Sequence, residues 1–259
     1  MKLAFRKLGT GKPLFILHGL FGSADNWQTL GKHFAEYFTV YFIDQRNHGQ
    51  SPHNSEWNYE VMSEDLKELM EDEGLDRINI IGHSMGGKTA MHFTVRYPEK
   101  VEKLVVVDIG PKKYPITNQF VIDAIDQFNP EQIKSRKEAD EVMSKYIEDA
   151  GVRQFLLKNL YWDDNQKLQW KFNYEVIKQN IAVVSEATPL PINPITMPAL
   201  FVKGEKSDYI FNSDIKRINE MFPNASLVAI PGAGHWVHAD QPQAFFKVVS
   251  EFLLGGEIK

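Results

Sequence analysis

Six short runs of apolar residues recur along the chain, and each is closed by a glycine or a polar turn. They are rich in Ile, Val, Leu and Phe and show little alternation, which is typical of strands buried on both faces of a parallel sheet. The runs are PLFILHG from Pro13, TVYFID from Thr39, RINIIG from Arg77, KLVVVDIG from Lys103, PALFVKG from Pro198 and SLVAIPG from Ser226. The pattern therefore predicts a mostly parallel central sheet.

Helical segments separate these runs, so predicted strands and helices alternate along the chain. The clearest helical segments are DNWQTLGKHFAEYF, NYEVMSEDLKELMEDEG, GGKTAMHFTVRYP and QPQAFFKVVSEFLL. This alternation requires crossover connections and produces an open, twisted sheet flanked by helices. Ligands in such sheets bind outside the carboxyl ends of the strands. We therefore predict an α/β fold and expect functional residues directly after the predicted strands.

Residues 111–195 interrupt this alternation. Charged and amide residues mix there with periodic apolar positions, as in FVIDAIDQF and ADEVMSKYIEDAG, which predicts helices inserted between two strands of the sheet. The aromatic stretch LYWDDNQKLQWKFNYEVI has room for a small hairpin. The segment is too long for a simple loop. The predicted organisation is an α/β core formed by residues 1–110 and 196–259, with a helical cap formed by residues 111–195.

Composition narrows the class of protein. The chain has 259 residues, 43% of them hydrophobic, which is enough for one substantial core. Its net charge is −5, whereas nucleic-acid-binding proteins usually carry a basic stripe. Cysteine is absent, which excludes disulfides, cysteine-ligated metals and a thiol nucleophile. The N-terminus is unlike a signal peptide, and no apolar run approaches the roughly 18 residues of a membrane-spanning helix. We expect a cytoplasmic protein with no membrane span and no nucleic-acid partner.

The segment INIIGHSMGG carries the strongest chemical signal. A predicted strand runs into GHSMG at positions 82–86 and a predicted helix follows, which is the G-x-S-x-G pattern of a nucleophile elbow. Side chains two positions before and after the serine would collide with neighbouring backbone in so tight a turn. Ser84 is therefore the predicted nucleophile, at a helix N-terminus whose dipole favours developing negative charge. The alternative is a glycine-rich turn that holds a serine without a catalytic role.

A serine is a weak nucleophile without a base, and the candidate bases lie in IPGAGHWVHADQP near the C-terminus. His235 follows a glycine-rich loop after the last predicted strand, where its ring can reach over the sheet. His238 is the rival, but its position nearer the final helix favours a role in packing or capping. Their spacing also permits a metal site, but no acidic cluster accompanies it, so we expect no metal. His48 and His83 are expected to support their loops.

Stabilising the oxyanion of a tetrahedral intermediate requires two backbone donors. One is the N–H of Met85, the residue after the predicted nucleophile. The other is expected from the loop after an early strand, and LHGLFGS is such a loop. Leu20 is the preferred donor and Phe21 the alternative. The competing interpretation is a merely tight turn between strand and helix.

Four segments together resemble the α/β-hydrolase superfamily, namely HGLFGS, DQRNHGQSP, GHSMGGK and GAGHWVHAD. More closely they resemble the YbfF-type esterases, and they extend from residue 18 to residue 240. The resemblance implies an α/β-hydrolase fold with a helical cap over the site. It also implies hydrolysis of carboxylic esters and acyl thioesters without a cofactor.

The acid of a Ser-His-acid triad commonly lies three residues after the glycine that ends a late buried strand. In GEKSDYI that position is Ser207, and Asp208 follows one residue late. Asp108 ends the strand after the elbow helix, where a carboxylate beside buried valines needs a partner such as His235. The YbfF-type resemblance agrees, because that group shares both the DI pair after this strand and the serine at the usual acid position. We prefer Asp108 as the acid and keep Asp208 as the alternative.

Substrate contacts are expected from residues beside the elbow and from the cap. The candidate pocket residues are Phe21, His83, Trp162, Trp170 and Trp236. The predicted function is a serine hydrolase that cleaves small-molecule esters or acyl thioesters through an acyl-enzyme. Two alternatives stay open, because a fold does not fix its chemistry. One is a carbon–carbon bond hydrolase or perhydrolase on the same triad, and the other is a ligand-binding receptor with little or no turnover.

Overall fold

A computed structural model of the protein describes residues 1–115, 119–129 and 132–256. Within these ranges the strands form a main sheet and a separate hairpin. The strands of the main sheet are β1 (Phe5–Leu8), β2 (Lys12–Leu17), β3 (Phe38–Ile43), β4 (Ile78–His83), β5 (Val101–Val107), β8 (Ala199–Gly204) and β9 (Ala225–Ile230). The hairpin consists of β6 (Leu160–Trp162) and β7 (Leu168–Trp170).

The main sheet has seven strands in the order β1-β3-β2-β4-β5-β8-β9. Strand β1 pairs antiparallel with β3, and the other neighbouring pairs are parallel. All six predicted runs form strands of this sheet, which confirms the prediction of an α/β fold with a mostly parallel sheet. The sequence pattern missed β1, because this edge strand is largely exposed and its four residues FRKL form no apolar run.

Helices cover both faces of the sheet. The helices of the described residues outside the inserted segment are α1 (Gln28–Phe34), α2 (Tyr59–Asp72), α3 (Met85–Arg96), α8 (Ile215–Met221), α9 (Val237–Asp240) and α10 (Pro242–Leu254). Alternate residues of β2 point to opposite faces, so Phe15 belongs to the apolar cluster that includes residues of α2, α3 and α8, while Leu14 belongs to the cluster that includes residues of α1 and α10. Two apolar layers result, one on each side of the sheet.

Local chemistry explains where the helices begin and end. The side chain of Asn58 accepts a hydrogen bond of 2.9 Å from the N–H of Val61, which caps the start of α2. Pro242 is the first residue of α10, where its missing N–H costs no helical hydrogen bond. Gly255 ends the same helix with φ +80°, a conformation that glycine adopts without steric penalty. No helix of the described residues is both long enough and apolar enough to cross a membrane.

Residues 111–195, which we call the cap, lie between β5 and β8 in the chain. They contain the hairpin β6-β7 and the helices α4 (Gln119–Asp126), α5 (Arg136–Met143), α6 (Ala150–Leu157) and α7 (Tyr174–Gln179). The hairpin pairs Leu160 with Trp170 and Trp162 with Leu168, which confirms the hairpin predicted in this stretch. Apolar side chains of the cap form a third cluster, which also takes in Phe21 and Met85 from the α/β core.

A buried lysine of the core contacts both ends of the cap. Lys88 lies on α3 and its side chain is fully buried. Its ammonium group donates hydrogen bonds to the backbone carbonyl of Lys112, at 2.5 Å, and to that of Glu186, at 2.8 Å. The first of these residues begins the cap and the second lies near its end. One side chain on α3 therefore attaches both the first and the last segment of the cap to the core.

Arg217 on α8 makes a second tie of the same kind. Its guanidinium donates to the backbone carbonyl of Pro111, at 3.2 Å, and to that of Thr188, at 3.0 Å. The two chain segments also bond to each other, because the N–H of Thr188 donates to the carbonyl of Pro111 at 3.1 Å. The entry and the exit of the cap are thus held side by side.

The buried Lys88 predicts a pH dependence of stability. Burial, with the nearby Arg217 and Lys112 charges, lowers the pKa of Lys88 from 10.5 to about 7. Between these values the unfolded chain binds a proton that the folded chain lacks, so the free energy of unfolding rises with pH. The Lys88→Met variant lacks this titration. We expect the free energy of unfolding of the wild type, relative to this variant, to increase by up to ~1 kcal/mol per pH unit across this interval.

Urea unfolding at several pH values measures this difference. The matched control is Lys247→Met, the same exchange at an exposed position of α10. The control should track the wild type at every pH. A difference between wild type and Lys88→Met that stays constant with pH would show that Lys88 keeps its proton in the folded protein.

Candidate active site

Ser84 occupies a strained turn between β4 and α3. Its backbone has φ 52° and ψ −118°, and its N–H donates to the carbonyl of Val107 at 3.0 Å. A β-carbon at Gly82 would lie 2.3 Å from the carbonyl oxygen of Gly86, and one at Gly86 would lie 2.6 Å from that of Leu17. Neither position tolerates a side chain, which is the steric reason expected for the G-x-S-x-G pattern. The turn presents Ser84 at the carboxyl edge of the sheet.

His235 connects Ser84 to Asp108 through hydrogen bonds. It lies between β9 and α9, with Nε2 3.1 Å from Oγ of Ser84 and Nδ1 2.8 Å from Oδ2 of Asp108. A carboxylate only accepts hydrogen bonds, so Nδ1 carries the proton and Nε2 is free to accept one from the serine hydroxyl. The structure therefore brings the preferred nucleophile, base and acid together in the geometry of a Ser-His-Asp triad.

The carboxylate of Asp108 is fully buried at the end of β5. Its Oδ1 accepts the N–H of Gly204 at 3.0 Å, and its Oδ2 accepts the hydroxyl of Ser207 as well as the N–H of His235. Ser207, which stands at the usual position of the acid, thus donates to Asp108, the preferred acid. Asp208, the alternative, is exposed at the wall of the cavity. The described contacts place Asp108 beside the histidine.

Two further residues fix the ring and backbone of His235. The ring of Tyr209 stacks on the imidazole with centroids 3.9 Å apart and planes 17° apart. The Nε2 of His83 donates to the carbonyl of His235 at 2.9 Å. Burial lowers the pKa of His83 well below its ordinary value, so this ring is neutral. No sequence motif points to Tyr209 beyond its place in the same loop as Asp208.

His238 lies away from this chain of hydrogen bonds. It stacks on Trp27 with ring centroids 4.0 Å apart, which is the packing role expected for it. Burial lowers the pKa of His238 to about 3, so the ring stays neutral. In residues 1–115, 119–129 and 132–256, no three His, Asp or Glu side chains are grouped to hold a metal ion.

The loop after β2 forms a tight turn beside Ser84. The N–H of Gly22 donates to the carbonyl of Gly19 at 3.0 Å, and Phe21 has φ +58°. The N–H of Phe21 donates to Nε2 of His48 at 3.3 Å, so the alternative oxyanion donor is already engaged. Within the described part of the chain, the N–H groups of Leu20 and Met85 have no acceptor. Met85 is the first residue of α3, where helical N–H groups are free.

A neutral histidine supports this turn from below. His18 donates from Nδ1 to the carbonyl of Gly19 at 2.8 Å and accepts the N–H of Gln45 at Nε2 at 3.0 Å. Burial lowers the pKa of His18 to about 4, so the ring is neutral at neutral pH and Nε2 stays an acceptor. His18 therefore links Gly19, the first residue of the turn, to Gln45 in the loop that follows β3.

A cavity of about 760 Å³ lies above Ser84, between the core and the cap. Three of the expected pocket residues line it, namely Phe21, His83 and Trp236. The cap contributes mainly apolar side chains, which are Phe120, Val121, Val152, Phe155 and Leu156. Lysines also reach the cavity wall, at positions 112, 113 and 206. The site thus combines a reactive hydrogen-bonded chain with a largely apolar space.

The expectation that Trp162 and Trp170 line the pocket is wrong. Trp162 lies on the hairpin with 41% of its surface exposed. Trp170 packs inside the cap, with its ring centroid 5.1 Å from that of Phe128 and 5.0 Å from that of Phe172. Neither side chain lines the cavity, because no residue of the hairpin β6-β7 forms part of its wall.

Comparisons with known proteins agree with this geometry. A sequence model of the alpha/beta hydrolase fold matches residues 12–139. The sn-1-specific diacylglycerol lipase ABHD11 of Mus musculus is 39% identical over 248 residues, covering 93% of this chain and 80% of that protein. Esterase YbfF of Escherichia coli strain K12 is 33% identical, covering 93% of this chain and 92% of that protein.

A solved structure is similar over nearly its whole length. The protein described as a marine microorganism esterase has a TM-score of 0.95 and 48% sequence identity, covering 97% of this chain and 99% of that one. Identities and coverage of this size extend across the sheet, the elbow and the cap. The chain therefore belongs to the α/β-hydrolase family and is similar to its esterases and lipases.

Proposed function

We propose that this protein is a serine hydrolase that cleaves small-molecule carboxylic esters or acyl thioesters through a covalent acyl-enzyme. The observation that carries the proposal is the hydrogen-bonded chain from Ser84 through His235 to Asp108 at the floor of a cavity. The esterase and lipase names of the relatives support the same substrate class. A binding protein has no need of this arrangement.

Acylation follows from the positions of the hydrogen-bonding groups. Oγ of Ser84 attacks the carbonyl carbon of the substrate while Nε2 of His235 takes the hydroxyl proton. The carbonyl oxygen becomes an oxyanion, and the free N–H groups of Leu20 and Met85 are the available donors to it. His235 then gives its proton to the departing alcohol or thiol, and the acyl group stays on Ser84.

Deacylation repeats these steps with water. His235 takes a proton from the water that attacks the acyl-enzyme, and it returns that proton to Oγ of Ser84 as the acid product leaves. Asp108 keeps Nδ1 protonated in both half-reactions and stabilises the imidazolium that forms in each. Its further bonds to Gly204 and Ser207 hold the carboxylate in place while the histidine changes charge.

The cavity supports an apolar acyl or alcohol group. Its walls near the elbow and on the cap are aromatic and aliphatic, and burial of such groups favours binding by about 25 cal/mol per Å² of apolar surface. The space of about 760 Å³ is in the range of pockets that enclose small ligands. We therefore propose small esters with an apolar portion as substrates.

Exchange of the proposed acid tests the triad against its alternative. Asp108→Asn removes the charge that fixes the histidine tautomer, so kcat for a short-chain p-nitrophenyl ester should fall on the order of 10⁴-fold. Ser84→Ala should lose a similar factor. Asp208→Asn is the matched control, since it makes the same exchange at an exposed aspartate, and it should keep kcat within about threefold of wild type.

The reverse pattern would contradict the assignment of Asp108 as the acid. If Asp208→Asn were inactive and Asp108→Asn active, the acid would be Asp208. A wild type that binds esters without turnover would favour the receptor alternative. Cleavage of a carbon–carbon bond in preference to esters would favour the other alternative on the same triad.

The cavity wall gives a second prediction, about substrate binding. Trp236→Ala removes apolar surface from the wall, so the KM for a p-nitrophenyl butyrate should rise roughly 10-fold. Trp162→Ala makes the same exchange on the exposed hairpin and should leave KM within about twofold. Steady-state kinetics on both variants measure this contrast. Equal effects of the two exchanges would show that the cavity is not where the substrate binds.

A further inference from the structure

The turn that carries the proposed oxyanion donor has an unfavourable backbone conformation. Gly19 and Gly22 close a β-turn, and positive φ at Phe21, its third residue, makes it a type II turn. That position favours glycine, because a side chain there meets neighbouring backbone. Phenylalanine does not select this conformation by itself, so contacts from outside the turn must hold it.

Two buried side chains from distant parts of the chain bind the backbone of Phe21 from both sides. Its N–H donates to Nε2 of His48 at 3.3 Å, and its carbonyl accepts Nδ2 of Asn159 at 2.7 Å. Nδ1 of His48 donates to the carbonyl of Arg46 at 3.0 Å, which leaves Nε2 as the acceptor. Burial lowers the pKa of His48 to about 3, so the ring keeps this acceptor at neutral pH.

Asn159 belongs to the cap, although its partner lies in the core. It lies two residues after the end of α6, is only 1% exposed, and stands 138 residues from Phe21 in the chain. Two further hydrogen bonds hold it in the cap. Nδ2 also donates to the backbone carbonyl of Phe155 at 3.2 Å, and the backbone carbonyl of Asn159 accepts the N–H of Lys171 at 2.8 Å. The ring of Phe172 packs on that of Phe21, with centroids 5.1 Å apart.

The position of the cap is therefore transmitted to the turn through one amide group. We propose that Asn159 is a positioning residue, through which the seated cap holds the turn so that the N–H of Leu20 faces the oxyanion. The proposal rests on the proposed function, because it concerns the same reaction. Without this hydrogen bond the carbonyl of Phe21 loses its partner, and of the two bonds only the one from its N–H to His48 restrains the turn against the conformation that phenylalanine prefers. Asn159 touches the turn and not the substrate, so its effect falls on the transition state.

The first test compares two asparagines of the cap. Asn159→Ala removes the donor to the turn. Asn173→Ala is the matched control, because Asn173 also bonds the cap to the core, donating from Nδ2 to Oδ1 of Asn47 at 3.2 Å, but makes no hydrogen bond to the turn within the described residues. With a p-nitrophenyl ester, kcat of Asn159→Ala should fall about 10- to 100-fold with KM within about threefold. Asn173→Ala should keep both constants within about threefold.

Binding of a transition-state analogue separates this role from a general loss of structure. A trifluoromethyl ketone adds to the serine and forms an oxyanion, so its inhibition constant should rise by about the same factor as kcat falls. Thermal unfolding verifies that the variants are folded. Asn159→Leu fills the same space without a donor and replaces the alanine variant if that one does not fold.

A double-mutant cycle with Phe21→Gly supplies an independent readout. Glycine adopts positive φ without steric cost, so the turn no longer depends on an external hydrogen bond. In the Phe21→Gly background, the further loss of kcat from the Asn159 exchange should shrink to within about threefold. Both proteins in this comparison, Phe21→Gly and the double variant, lack the Phe21 ring, so the effect of losing the ring cancels.

Three results would overturn the proposal. They are an Asn159 variant with wild-type kcat, an equal loss in Asn173→Ala, and an undiminished loss in the Phe21→Gly background. A wild type without ester turnover would overturn this inference together with the proposed function. An active wild type with an inactive Ser84→Ala, but no effect at Asn159, would overturn this inference alone.

Discussion

The buried carboxylate of Asp108 is the constraint on which the arrangement of the site depends. A charge with no access to water is tolerated only where protein groups satisfy it. Here the satisfying groups are an N–H of β8, a hydroxyl in the loop after β8 and the ring N–H of His235. The ends of two neighbouring strands and the loop after β9 are therefore drawn to one point. Ser84 meets the histidine there because its elbow lies on the adjacent strand.

The sequence predicts those features that depend on local chemistry. The elbow needs Gly82 and Gly86 for steric reasons, and a buried aspartate at a strand tip needs a partner, so both could be inferred without coordinates. Strand β1 was missed because an exposed edge strand has no apolar run. The pocket residues were only partly predicted, because the aromatic character of Trp162 and Trp170 does not reveal which way the side chains point. Asn159 leaves no local signal, since its partner is distant in the chain.

The core and the cap build the site together. The core supplies the proposed nucleophile, base and acid, while the cap supplies much of the apolar wall and a donor to the turn at Phe21. The cluster that joins Phe21 and Met85 to the cap shows that both segments carrying the proposed oxyanion donors are packed against it. The segments that carry the proposed oxyanion donors and the cap that encloses the cavity thus share one apolar cluster.

The ties made by Lys88 and Arg217 have a consequence for the divergence of such proteins. Each cation donates to backbone carbonyls of the cap, and every residue type presents a carbonyl. These bonds from the core therefore depend on the backbone at the base of the cap and not on its side chains. Substitutions at Pro111, Lys112, Glu186 and Thr188 keep the carbonyls that accept these hydrogen bonds. The apolar wall that the cap contributes can therefore vary in sequence without loss of these attachments, provided that the contacts of the cap with the turn at Phe21 are kept.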